Sequence, residues 1–125
     1  YPINGDTSAA AQMWILTRVL NQELSLLSRF DFVVSDRTIV DAIAYTQVAG
    51  HESLATDMLF LASAHMHRYQ RIIFRRADRN EYCIKDGIRD TGNNLFRIRV
   101  ESILKQMYEN LIHRGALQPE VITYE

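Results

Sequence analysis

The sequence is poor in cysteine: Cys83 is the single one in 125 residues. A lone thiol closes no internal disulfide and builds no zinc site of several thiolates, so a reducing, cytoplasmic setting is the expectation. Net charge is also nearly missing, with 14 Lys and Arg against 15 Asp and Glu and a formal charge of -1. No overall field therefore draws the chain to nucleic acid or to an anionic membrane, and any recognition has to be local. Long apolar runs are absent too: Met58-Leu59-Phe60-Leu61-Ala62 falls far short of the roughly 20 residues that span a bilayer. The opening Tyr1-Pro2-Ile3-Asn4-Gly5-Asp6 has neither the basic start nor the apolar stretch of a secretory signal. It lacks an initiator methionine and reads as the interior of a longer chain. Internal repeats and low-complexity segments are not found.

What is present has the balance of one globular domain, 47% apolar and 23% charged, enough for a single core. Asp6, Thr7 or Ser8 can cap a helix running towards Ser28, with Met13, Trp14, Leu20, Leu24 and Leu27 inward and Gln12, Arg18, Gln22 and Glu23 on other faces. Asp31-Phe32-Val33-Val34-Ser35 reads as a buried strand of a parallel sheet. Thr38 followed by Asp41 forms a capping-box pattern, and Ile39, Val40, Ile43 and Ala44 give the next helix its apolar stripe. Gly50 ends that helix. A third is expected from about Glu52 to His67, with Leu54, Met58, Leu61 and Ala62 inward.

Ile72-Ile73-Phe74 reads as a second strand, followed at once by Arg75, Arg76 and Arg79. Residues 78–93 are polar and turn-rich and read as a loop. A long helix then starts near Asn93 or Asn94, buries Leu95, Ile98, Ile103, Leu104 and Leu111, and stops at Gly115. Val121-Ile122-Thr123-Tyr124 can form a last strand. Strands alternating with helices predict an α/β domain with parallel neighbours. So narrow a sheet calls for a further strand to cover its edges.

In open parallel sheets ligands gather beyond the carboxyl ends of the strands, and Asp36-Arg37 and Arg75-Arg76 are both expected there. A carboxylate after an apolar strand can hold magnesium through water or orient an attacking hydroxyl, while arginines neutralise a transferring phosphoryl group. The competing role of Asp36 is a turn residue capping the helix, and Asp41 on the first turn is read as a cap. Arg75, Arg76 and Arg79 can clamp phosphates or form a solvated loop neutralised by Asp78 and Glu81. Asp86-Gly87-Ile88-Arg89-Asp90-Thr91 can close over a nucleotide, Arg89 reaching a phosphate and Asp90 orienting it, or can open a helix. His65 and His67 diverge on a helix, and His51 and His113 have no neighbour in sequence, so all four read as structural or surface residues. Cys83 lacks the surroundings of a nucleophile. Trp14 is read as core.

Several of these segments occur together and in order: Pro2-Ile3-Asn4, Ala11-Gln12-Met13-Trp14-Ile15-Leu16, Val33-Val34-Ser35-Asp36-Arg37-Thr38 with Asp41-Ala42 and Tyr45, and Asp86-Gly87-Ile88-Arg89-Asp90. Across nearly the whole chain this resembles the AAA-type P-loop ATPase/kinase-like family, which is similar to nicotinamide riboside kinases and more distantly to deoxynucleoside and thymidylate kinases. The resemblance implies a P-loop kinase-like parallel sheet flanked by helices. It implies ATP and magnesium as cofactors and a nucleoside, nucleotide or similar small molecule as phosphate acceptor. Asp36 would be the magnesium-linked or general-base carboxylate, Arg37 a contact to the acceptor or transferring phosphate, and Arg75, Arg76 and Arg79 part of a lid. Asp86, Gly87, Arg89 and Asp90 match the family's DG-x-R-D signature.

One departure is large: no G-x-x-x-x-G-K-[ST] string stands in these residues, so the phosphate nest, its lysine and the magnesium-binding hydroxyl are missing. In the family that loop lies upstream of the segment beginning at Tyr1. The expectation is therefore the carboxy-terminal part of one nucleotide-binding domain, active as an ATP-dependent phosphotransferase or ATPase only with the loop. A non-catalytic binding or regulatory module on the same scaffold is the competing reading. Nucleic-acid binding through the arginine tract is a third, disfavoured by the neutral charge and the lack of interleaved aromatics.

Overall fold

Ile39, Val40, Ile43 and Ala44, spaced to lie on one side of a helix, are all completely buried, and the architecture is arranged around them. The computed structural model describes residues 8–75 and 91–125, without the side chains of 91–94. Within these, α1 spans Ala9–Leu27, α2 Ile39–Val48, α3 Glu52–Ser63 and α4 Thr91–His113. The short strands β1 (Ile72–Phe74) and β2 (Ile122–Tyr124) complete the set. Helix α2 is the hub, packed against α1, α3 and α4. Burying a side chain the size of Ile43 contributes about 1.5–3 kcal/mol, so α2 anchors the core that also holds Met58, Ala62, Met66, Met107, Tyr108 and Leu111.

Local chemistry explains most boundaries. Ser8 accepts from the Ala11 amide and caps α1. Thr38 and Asp41 form the expected capping box of α2. Gly50, at φ 100, makes the left-handed turn between α2 and α3, a conformation glycine adopts without a Cβ penalty. Helix α3 stops at Ser63, short of His67, and a 3-10 turn over Met66–Arg68 leads towards β1. Helix α4 is already formed at Thr91, the first described residue of this part of the chain and earlier than the Asn93 or Asn94 that the sequence suggests, and Gly115 at φ 80 follows its end.

The two strands pair in parallel, Ile72 with Ile122, Ile73 with Thr123 and Phe74 with Tyr124. Helix α4 lies between them in sequence, so this part of the chain is a strand, helix, strand unit, and the structure is mixed α/β. The other expected strand is not formed. Residues 31–35 carry no strand assignment, and Phe32 and Val34 are 81% and 80% exposed. The apolar run is there, but among the described residues no neighbouring strand gives its backbone a ladder.

Helix α1 is rotated relative to its apolar pattern. It buries Ala11, Gln12, Leu16 and Glu23, with Val19 and Leu20 against the core, while Met13, Trp14, Leu24 and Leu27 are substantially exposed. Trp14 is not core; the Arg18 guanidinium lies over its ring at 5.2 Å. The polar pair inside is bonded: the Thr46 hydroxyl is 3.1 Å from Gln12 Oε1. Leu61 and Leu95, expected inside, are exposed as well. Among the described residues no helix is long and apolar enough to cross a membrane.

These burials set a contrast in stability. Ile43→Ala is expected to cost about 2–5 kcal/mol in urea unfolding, whereas Phe32→Ser and Val34→Ser stay within about 0.5 kcal/mol of the parent. A loss of 2 kcal/mol or more on the order of a core change at either exposed position would show that residues 31–35 are packed.

Candidate functional site at the start of helix α2

The first turn of a helix leaves amide hydrogens without intrahelical acceptors. In α2 side chains fill most of that need. The Thr38 amide donates to Asp41 Oδ2 at 2.8 Å, the Ile39 amide to the Tyr69 hydroxyl at 3.0 Å, and the Val40 amide to Thr38 Oγ1 at 3.1 Å. The Asp41 amide lies 3.2 Å from the Thr38 carbonyl. An anion arriving at this helix end would thus find its amides occupied, and charge recognition here falls to side chains.

Two tyrosines from distant parts of the chain fix this turn. Tyr108 of α4 places its hydroxyl 2.6 Å from Thr38 Oγ1, and its ring stands edge-on to Phe74 with centroids 6.0 Å apart. Phe74 is the last residue of β1, and Arg75 follows it. The start of α2 and the carboxyl end of β1 therefore both abut Tyr108. Tyr69, just before β1, bonds the Ile39 amide and also donates to Glu23 Oε1 at 2.5 Å. Glu23 comes from α1 and is buried, and His65 Nε2 meets the same oxygen at 2.8 Å from the other side. Nδ1 of His65 is buried with no hydrogen-bond partner among the described residues.

Protonation follows from this burial. Burial, and then the bond to Glu23, push the Tyr69 hydroxyl well above its usual pKa, so it remains a donor. Burial, and then the Asp41 charge, do the same to Tyr108. Asp41 is raised by burial, which outweighs the lowering by Thr38 and by the Arg37 charge; Asp36 adds to the rise. The charges of Asp36 and Arg37 are therefore felt at the base of the turn.

Asp36 and Arg37 themselves are exposed, immediately before the Thr38 cap. Arg37 has φ 78, the one positive value at a non-glycine residue among those described. Arg75 is exposed beyond β1. Thus Asp36 and Arg37 sit on one turn, and Arg75 leaves the strand that shares Tyr108 with it. Arg76, Arg79, Asp86, Gly87, Arg89 and Asp90 lie outside the described residues, as does Cys83. Among the described residues no group of three or more His, Cys, Asp or Glu could enclose a metal ion. Asp36 offers a single exposed carboxylate suited to a water-held ion, and Arg37 and Arg75 offer guanidinium groups. With its first amides engaged, the α2 turn does not furnish a triphosphate cradle.

Sequence reasoning placed Glu23 on an outer face and His65 in a structural or surface role; the structure joins them through a carboxylate inside the protein. A Glu four residues after Val19 and three after Leu20 was the available sign, since it continues the stripe that is actually buried. Trp14, Thr17, Arg18, Asn21 and Gln22 line a shallow depression on α1. All five come from one helix, so the depression has a single wall. No family model, curated protein or solved structure matches the chain.

The raised Asp41 predicts a pH signature. In the window between 3.8 and the folded pKa, the folded protein binds more protons than the unfolded one, so stability falls as pH rises. The contribution is fully present below the unfolded pKa and lost through the folded one. Urea unfolding across pH should show the advantage of the parent over Asp41→Asn shrinking as pH rises through that window. An advantage that grows with pH would mean that the capping bonds outweigh burial.

Proposed function

We propose that the chain is part of a P-loop kinase-like nucleotide-binding domain whose full-length form is an ATP- and magnesium-dependent phosphotransferase or ATPase acting on a nucleoside, nucleotide or similar small hydroxyl acceptor. Support comes first from the resemblance of the ordered segments, above all Val33-Val34-Ser35-Asp36-Arg37-Thr38. The observation that carries the reading furthest is Arg37 at φ 78. A left-handed backbone costs a non-glycine residue about 1–2 kcal/mol, and strain of this kind gathers at functional turns. Glycine would relieve it but would remove the guanidinium from beside Asp36.

In this reading Asp36 orients the acceptor hydroxyl or holds magnesium through water, and Arg37 and Arg75 meet phosphate charge. The engaged amides of α2 agree with a side-chain role, leaving the triphosphate to a glycine-rich loop that these 125 residues do not contain. That same absence favours the second reading, a non-catalytic module on a kinase-like scaffold. Arg76, Arg79 and Arg89 are assigned to phosphate binding from the sequence alone, as guanidinium groups on a polar segment.

The test uses the full natural chain with labelled ATP, magnesium and a panel of nucleosides and nucleotides. Asp36→Ala and Arg37→Gly should each lower turnover by about 100-fold or more, while Arg37→Gly unfolds no more easily than the parent because its strain is relieved. If the full chain neither binds ATP nor transfers or releases phosphate, the enzymatic reading is wrong and the non-catalytic one takes its place.

A further inference from the structure

Glu23, Tyr69 and His65 sit away from the exposed turn, yet they form a continuous connection to it. Tyr69 has one hydroxyl oxygen, which accepts the Ile39 N–H at 3.0 Å and gives its own proton to Glu23 at 2.5 Å. Ile39 is the first residue of α2 and is fully buried. Its amide has no acceptor within the helix. Glu23 cannot relax away from Tyr69, because His65 Nε2 holds the same carboxylate oxygen at 2.8 Å and the His65 ring lies edge-on to Tyr69, 5.5 Å between centroids.

A buried carboxylate is costly compared with an apolar side chain of similar volume, so burial energy alone gives no reason for Glu23. Orientation does: by taking the Tyr69 proton, Glu23 leaves no buried O–H unsatisfied and favours the rotamer that turns a lone pair of the Tyr69 oxygen to Ile39.

We propose that Glu23 and Tyr69 are positioning residues for the Asp36-Arg37 turn: they fix the first amide of α2, and with it the left-handed Arg37 two residues earlier, while His65 holds the carboxylate in place. The catalytic consequence rests on the phosphotransfer reading above; the structural consequence does not.

The experiment compares Tyr69→Phe, Glu23→Gln and Glu23→Ala in the full natural chain by amide hydrogen exchange, by the backbone shift of Arg37, and by turnover. Exchange at Ile39 is the specific readout, since its protection depends on the Tyr69 hydroxyl. Tyr69→Phe and Glu23→Ala should speed Ile39 exchange by about tenfold and displace the Arg37 shift, with Ile43 and Ala44 unchanged. Glu23→Gln, which keeps an acceptor oxygen, should restore both signals. Turnover should fall about tenfold in the first two variants with little change in KM for ATP. Uniform acceleration across α2, or an unmoved Arg37 shift, would overturn the proposal and leave a purely structural network. Normal turnover despite a displaced Arg37 would overturn its catalytic part. If the parent chain has no activity, the phosphotransfer reading fails, and exchange and the Arg37 shift still decide the positioning.

Discussion

Helix α2 must have its first amides satisfied while buried in the core, and this demand organises the molecule. A short helix with Ile39 and Val40 fully buried at its very start cannot leave those donors to water. Acceptors arrive from Thr38 and Asp41 nearby, and from Tyr69 thirty residues on. Tyr108, seventy residues from Thr38, closes the arrangement. Through these bonds the helix end is tied to the approach to β1, to α4 and, by way of Glu23, to α1. The apolar face of α2 supplies burial energy, and the polar start supplies a defined position along the helix axis. Packing alone tolerates small shifts that hydrogen bonds do not.

The same constraint shapes the exposed turn. With the capping box closed and Ile39 held, the chain reaches Thr38 from a fixed direction, and Arg37 takes the left-handed conformation. Asp36 and Arg37 are then exposed to solvent above a hydrogen-bonded base. The opposing influences of Asp36 and Arg37 on Asp41 show that the exposed pair and the buried cap share one electrostatic neighbourhood.

Much of this was legible in the sequence wherever one local rule acted alone. The Thr38 and Asp41 capping box, the Gly50 turn, the stripe of α2 and both short strands follow from spacing and residue type, as does a parallel arrangement of strands, though not which strand pairs with which. Helix α1 was misread in part: Leu20 packs inward as expected, but the inward face also takes in Ala11, Gln12 and Glu23, with Gln12 bonded to Thr46 and Glu23 to His65 and Tyr69 far away in sequence. Its conspicuous residues, Met13, Trp14, Leu24 and Leu27, face outward, with Arg18 covering Trp14. Phe32 and Val34 have the composition of a buried strand, yet composition cannot provide the neighbouring strand that pairing requires. At the site, Asp36 and Arg37 stood out as a pair closing an expected strand that does not form, and neither the backbone of Arg37 nor the two tyrosines that anchor its turn are encoded in local pattern.

The most direct test of this account is a double-mutant cycle between Thr38→Val and Tyr108→Phe, read by urea unfolding. If the long-range bond anchors the start of α2, the two changes are coupled by about 0.5 kcal/mol or more. Losses that simply add, within about 0.3 kcal/mol, would contradict it: the helix would then be held by its apolar face and local cap alone.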